Sequence, residues 1–105
     1  MATTTSATNQ LGGTTTKQSL SAAETGGIIA PYRLPVTVTA VPGSGGSMLV
    51  QYTTSAWADV CAETATWLSW PAGTVYATTT DTIVGPITAI RATATTQPGV
   101  LEVVQ

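Results

Sequence analysis

The sequence has no histidine, no phenylalanine and a single cysteine, Cys61. Without histidine the chain lacks the commonest zinc ligand and the commonest general base near neutral pH. One cysteine allows no disulfide within the chain, and Cys61 has no histidine to activate it as a papain-like nucleophile would be activated. A small, buried structural thiol is the expectation. Charge is scarce too, at 8% of residues against roughly 25% in an ordinary globular domain. The basic residues Lys17, Arg33 and Arg91 are scattered. They form no stripe that could follow a phosphate backbone, so no nucleic-acid partner is expected. No apolar run approaches the ~20 residues of a membrane span, so no membrane partner is expected. The opening MATTTSATNQ has neither the basic start nor the apolar core of a secretion signal, which points to synthesis in the cytoplasm.

Threonine fills part of the space left by charge, at roughly a fifth of the chain. It is β-branched and stiff, suited to a pleated surface, and its hydroxyl keeps that surface wettable. At 105 residues the chain holds one folded domain. Residues 1–27 are Thr, Ser, Ala, Gly and Gln with Leu11 and Leu20 as apolar anchors. Such a segment buries too little to offset its own ordering entropy, so it reads as an extended N-terminal arm. Residues 28–105 read as the folded part. There LPVTVTAV alternates Val36, Val38 and Ala40 against Thr37 and Thr39, the pattern of a half-buried strand. SMLVQYTT, GPITAIRATATT and VLEVVQ read the same way, and PGSGG and QPG are turns. The stretch SAWADVCAETATWLSW predicts a loop or single helical turn near 56–62 and then a strand from about 64 to 70. PAG is the expected turn out of that strand, and TVYATT the next strand. Six or so short strands between Pro/Gly turns predict an all-β fold, a small antiparallel β-sandwich or barrel.

Chemistry is harder to find. Asp59 and Glu63, four apart, are the only carboxylate pair spaced for a glycosidase, and solvated charges at a helix end explain them more simply. Lys17 among Ser and Thr lies in the arm, with no scaffold to shape a Ser–Lys dyad. Gly43–Gly46 lacks the following Lys-Ser/Thr of a phosphate loop. No catalytic residue, cofactor or metal is expected. Trp67 and Trp70, three apart, fall on opposite faces of a strand, so one enters the core and the other meets the surface or a neighbour. Arg91 is expected to pair with Glu102 on the closing strand, or with another subunit. A core this small, without disulfide or metal, gains most from association. The candidate interface residues are Leu11, Leu20, Ile28, Ile29, Tyr32, Trp57, Trp70 and Arg91, apolar anchors and aromatics of the kind that dominate protein contacts.

Three stretches, TATWLSWPAGTV, GPITAIRATAT and PGVLEVVQ, resemble small virion proteins of tailed bacteriophages. The matching elements are Trp67, Trp70, Gly73 and Val75, then Gly85 to Arg91, then Val100 to Val103, within residues 48–105. The resemblance implies a head decoration (cement) protein, or a tail or fibre component. In the first case the domain would sit on the outer capsid as a homo-oligomer, a trimer at three-fold positions. Its arm would lie across neighbouring subunits, and its partners would be the major capsid protein or other virion subunits. In the second case it would contact host surface glycans.

Overall fold

Val36, Val38 and Ala40 point inward from one strand, and Ile90, Ala92 and Ala94 from another. Leu101 and Val103 point inward from the last strand, while Val100, Glu102 and Val104 stay partly exposed. These are the faces that alternation assigns to them. A computed structural model describes residues 3–8, 13–31 and 35–105. Its elements are β1 (Thr3–Thr8), β2 (Thr14–Leu20), β3 (Glu24–Thr25), β4 (Val36–Pro42), β5 (Met48–Thr53), α1 (Trp57–Cys61), β6 (Leu68–Val75), β7 (Thr79–Ile83), β8 (Ala89–Ala94) and β9 (Gly99–Val104). All the pairings are antiparallel.

One sheet has the order β1-β2-β9-β4-β7 and the other β3-β8-β5-β6. Read outward from the β5–β6 connection, the pairs nest: β5 with β6, β4 with β7, β3 with β8, β2 with β9. The chain is therefore one long hairpin rolled up so that its paired arms fall alternately into two sheets. This is the eight-stranded jelly roll, a β-sandwich of two Greek keys, with β1 added beside β2.

Between the sheets lie Leu20, Val36, Val38, Met48, Val50, Trp70, Val75, Ile83, Ile90, Leu101 and Val103, with alanines at 40, 92 and 94 where the sheets approach. Full burial of an aliphatic side chain of this size is worth about 1.5–3 kcal/mol, so the interior is filled by apolar side chains that hold the sheets together. Thr53 is fully buried, and its hydroxyl donates to the Thr66 carbonyl at 2.7 Å. Gln18, also buried, donates to Thr4 Oγ1 at 3.0 Å and to the Gly27 carbonyl at 3.2 Å.

Several expectations are corrected. The polar segment 1–27 is not a free arm over its described residues. β2 pairs with β9 from Thr15↔Val104 to Leu20↔Gly99, and β1 pairs with β2. Main-chain hydrogen bonds, not apolar side chains, hold much of this segment, which is why composition missed it. Leu20 and Ile29, expected at an interface, are 3% and 7% exposed and belong to the chain's own core. Residues 64–67 form no strand, and PAG does not end one. Instead β6 runs through it with a bulge: Ser69 pairs with Gln51 and Thr74 with Leu49, so Trp70–Gly73 stand opposite Val50. Gly73 takes φ +64° there, a conformation that a side chain disfavours. Its carbonyl accepts the Trp70 indole N–H at 2.6 Å. Trp70 is thus 1% exposed, a core residue and not an interface one. Cys61 is exposed, on the short surface helix α1, and not buried.

Trp70 fills the space that the bulge opens, and nothing else of its size does. Trp70→Ala is expected to cost about 3–5 kcal/mol, the range for large aromatic truncation in a core. Leu68→Ala, at a 43% exposed position two residues earlier, should cost a small fraction of that. Equal shifts of the two thermal midpoints would contradict the placement of Trp70.

Candidate functional site

Antiparallel nesting sorts the connections to the two ends of the sandwich. The start of β4 faces the end of β7 at Val36↔Ile83, and the end of β5 faces the start of β8 at Thr53↔Ala89. Leu68, opening β6, faces Tyr52, and Ile29 bridges to Ile90 with main-chain hydrogen bonds of 2.9 and 2.8 Å. The β3–β4, β5–β6 and β7–β8 connections therefore gather at one end. Of the large apolar residues exposed among the described residues, Ile28, Trp57, Leu68 and Val84 lie at this end, and only Tyr76 lies at the other.

Two concavities share the end. The larger, about 640 Å³, lies under the β7–β8 connection. It is lined chiefly by Tyr52, Pro71, Ile83, Val84, Pro86 and Ile87. Its volume is in the range of small-ligand pockets, but its lining offers no charged group. The smaller, about 300 Å³, is lined by Ile28, Val60, Glu63, Ala65, Trp67 and Arg91. Arg91 alternates with inward Ile90 and Ala92, so it lies on the outer face of its sheet. Its guanidinium carbon sits 4.2 Å from the centroid of the Trp67 ring, and its Nε donates to Gln51 Oε1 at 2.9 Å across the β5–β8 register. The indole and Gln51 hold the cation on the outer face of the sheet.

α1 forms one wall of the smaller concavity through Val60, its buried residue. The helix stops where Glu63 takes φ +62°, the left-handed position that usually falls to glycine after a helix. Thr64 then closes the turn, its N–H donating to the Asp59 carbonyl at 2.9 Å and its hydroxyl to Asp59 Oδ1 at 3.2 Å. Asp59 and Glu63 are both exposed on this surface turn. Among the described residues no three side chains of the His, Cys, Asp or Glu type gather as a metal site.

The sequence-derived interface set is split by the structure. Ile28, Trp57 and Arg91 come together at the loop end. Leu20, Ile29 and Trp70 are withdrawn into the core, and Leu11 and Tyr32 lie outside the described residues. The expected Arg91–Glu102 pair does not form, because β8 and β9 belong to different sheets. Glu102 instead lies 3.9 Å from Lys17, its register partner on β2, an exposed pair worth about 0–1 kcal/mol. Leu68, Val84 and the Trp67–Arg91 stack escaped sequence reading. Trp67 and Arg91 are brought together by the fold across most of the length of two strands and a loop, with no local pattern to mark them.

No family model matches the chain, and no curated protein matches it. Solved structures do. Three of oxalate oxidase, two of them in complex with glycolate, superpose with TM-score 0.60 at 16% identity, covering 98% of this chain and 49% of theirs. The chain spans about half the length of those proteins, and the likeness is one of fold.

The Arg91–Trp67 contact is open to a direct test. A double-mutant cycle with Arg91→Met and Trp67→Leu should give a coupling of about 0.5–1 kcal/mol, the size of a partly exposed cation–π contact. The Arg91→Met variant alone should change the emission of Trp67. Additive effects and unchanged emission would show that the stack does not persist in solution.

Proposed function

We propose that the chain is a non-catalytic structural subunit of a virion, most simply a head decoration protein that binds the outer capsid and stabilises the shell. The observation that carries this reading is the gathering of exposed Ile28, Trp57, Leu68 and Val84 at one end of a sandwich whose interior is filled. A soluble chain with 8% charged residues has little to keep such an end from associating. Exposed apolar groups of this kind, ringed by threonine and serine, suit contact with another protein. The jelly roll supports the reading as an architecture used by viral capsid domains, and the sequence resemblance to small phage virion proteins supports it independently. The partners would be the major capsid protein or other virion subunits, with further copies of the chain, a trimer in the arrangement that the resemblance implies. The protein would be made in the host cytoplasm and reside in the virion.

The oxalate oxidase likeness does not favour an enzyme here. This chain has no histidine, its sandwich interior is lined by Val, Ala, Ile, Leu, Met and Trp, and its carboxylate pair sits on an exposed turn. These residue types offer neither a metal cage nor an acid–base pair between the sheets.

The test is a comparison of virions assembled with and without the protein. Those lacking it should rupture at lower temperature and at lower chelator concentration; equal resistance would end the cementing role. In the same system Trp57→Ala and Val84→Asp should weaken binding to purified heads about tenfold or more, the scale of a central interface residue.

A tail or fibre module contacting host glycans is the second reading. It is favoured by the concavity that places Trp67 beside Arg91 and Glu63, since sugar rings stack on indole and hydrogen-bond to charged groups. A glycan array should then give hits that Trp67→Ala removes. An array without hits would leave the decoration reading alone.

A further inference from the structure

The two sheets expose four edges, and three of them are blunted. β3 is only two residues long. β6 carries Pro71, which has no N–H to offer, inside the bulge at Trp70–Gly73. β7 carries the charge of Asp81 in mid-strand, and Asp81 Oδ1 already accepts the main-chain N–H of Thr82 at 2.8 Å. Shortness, proline, bulging and charge are the usual devices that keep a sheet edge from pairing with another chain.

β1 has none of them. It is six residues, TTTSAT, every one exposed, with no charge and no proline. Along it, alternate residues turn both N–H and C=O away from β2. The charged side chain in register with it, Lys17 opposite Thr5, lies 3.9 Å from Glu102 on the far side, away from the open edge. On the inner face Ser6 hydrogen-bonds to Thr16 at 3.1 Å and Thr4 accepts from Gln18, so the strand is anchored to β2. An uncharged, threonine-rich edge, exposed among the described residues, is a template for strand addition.

We infer that β1 is a self-association edge: two copies of this chain pair β1 with β1 antiparallel about a two-fold axis, joining their five-stranded sheets into one continuous sheet. The occupant is a second copy because the edge is self-complementary. An antiparallel pairing centred on Thr5 sets Thr3 against the other copy's Ala7 and Thr5 against Thr5, uncharged residue against uncharged residue. It needs no other sequence, and a two-fold contact of this kind closes on itself. The inference does not rest on the virion reading. A three-fold association would use other surfaces, so both contacts can exist on one chain.

The test uses the full-length chain in analytical ultracentrifugation. The wild type should sediment as a concentration-dependent dimer, or as an assembly built from dimers. Thr3→Lys with Ala7→Lys places like charges across the two-fold and should weaken self-association at least tenfold; Thr3→Glu with Ala7→Glu should do the same. Mixing the two variants should restore association, with both in one complex. Both pairs of changes lie on the exposed outer face of an edge strand, and a circular-dichroism melt confirms that each variant stays folded. A wild type that remains monomeric at millimolar concentration overturns the inference. So does an association that the lysine variant leaves unchanged, or a mixture that associates no better than either variant alone.

Discussion

Everything in this structure depends on the pairing of the last strand with the first strand of the roll. β9 is the central strand of its sheet, hydrogen-bonded to β2 on one side and to β4 on the other. Its inward Leu101 and Val103 touch the middle of the core. Thr15 pairs with Val104, so the contact that seats β9 joins nearly the whole length of the chain. Contacts so distant in sequence pay their loop-closure entropy before they return any stabilisation. The nested hairpin spreads that cost: β5 with β6 forms over the shortest connection, and each later pair is brought closer by the one inside it. The polar N-terminal segment is therefore part of the fold's closure. Without β2, β9 would have an unpaired edge in the centre of the sandwich.

The surface chemistry follows from the same arrangement. Threonines recur on the outer faces of β2, β4 and β8, and cross-strand pairs of hydroxyls hydrogen-bond to each other, as Thr39 does to Thr80 at 2.8 Å and Thr25 to Thr93 at 2.9 Å. Each such pair contributes some tenths of a kcal/mol without adding charge. That leaves the sandwich with well-made faces and little electrostatic repulsion.

Much of the sandwich was legible in the sequence, and the illegible parts share a cause. β4, β8 and β9 could be read because apolar and polar residues alternate along them, and the inward residues follow that pattern except at the start of β8, where Ala89 and Ile90 are both buried. β2 could not, because its inward residues are Thr16, Gln18 and Leu20, two polar side chains and one apolar. Gln18 is tolerated inside because Thr4 and Gly27 take its amide protons. Among the described residues its Oε1 is buried without a hydrogen bond, a cost of about 1–3 kcal/mol that the surrounding strand pairing has to offset. Hydrophobic periodicity carries no trace of a strand held chiefly by its ladder. Trp67 and Trp70 were assigned opposite faces by alternation along one strand, but Trp67 precedes β6, and which of the two enters the core was not legible. A bulge inside β6 decides that, and its signal, the Pro-Ala-Gly that follows Trp70, reads equally well as a turn.

The loop end could not be read from the sequence for a further reason. Ile28, Trp57 and Val84 lie in three separate connections and Leu68 opens β6; Ile28 and Trp57 stood among the interface candidates, but nothing local marked Leu68 and Val84 or joined the four. A lone Val or Leu between polar neighbours is as common inside a protein as outside it. They become a common surface only because nesting sends the β3–β4, β5–β6 and β7–β8 connections to the same end of the roll. The topology thus makes an exposed apolar surface out of the chain's least patterned segments. The proposed partner contact uses that end, and the proposed self-association uses the edge at β1. The two lie on different parts of the sandwich, so one chain can hold a partner at its loop end while its β1 edge meets another copy.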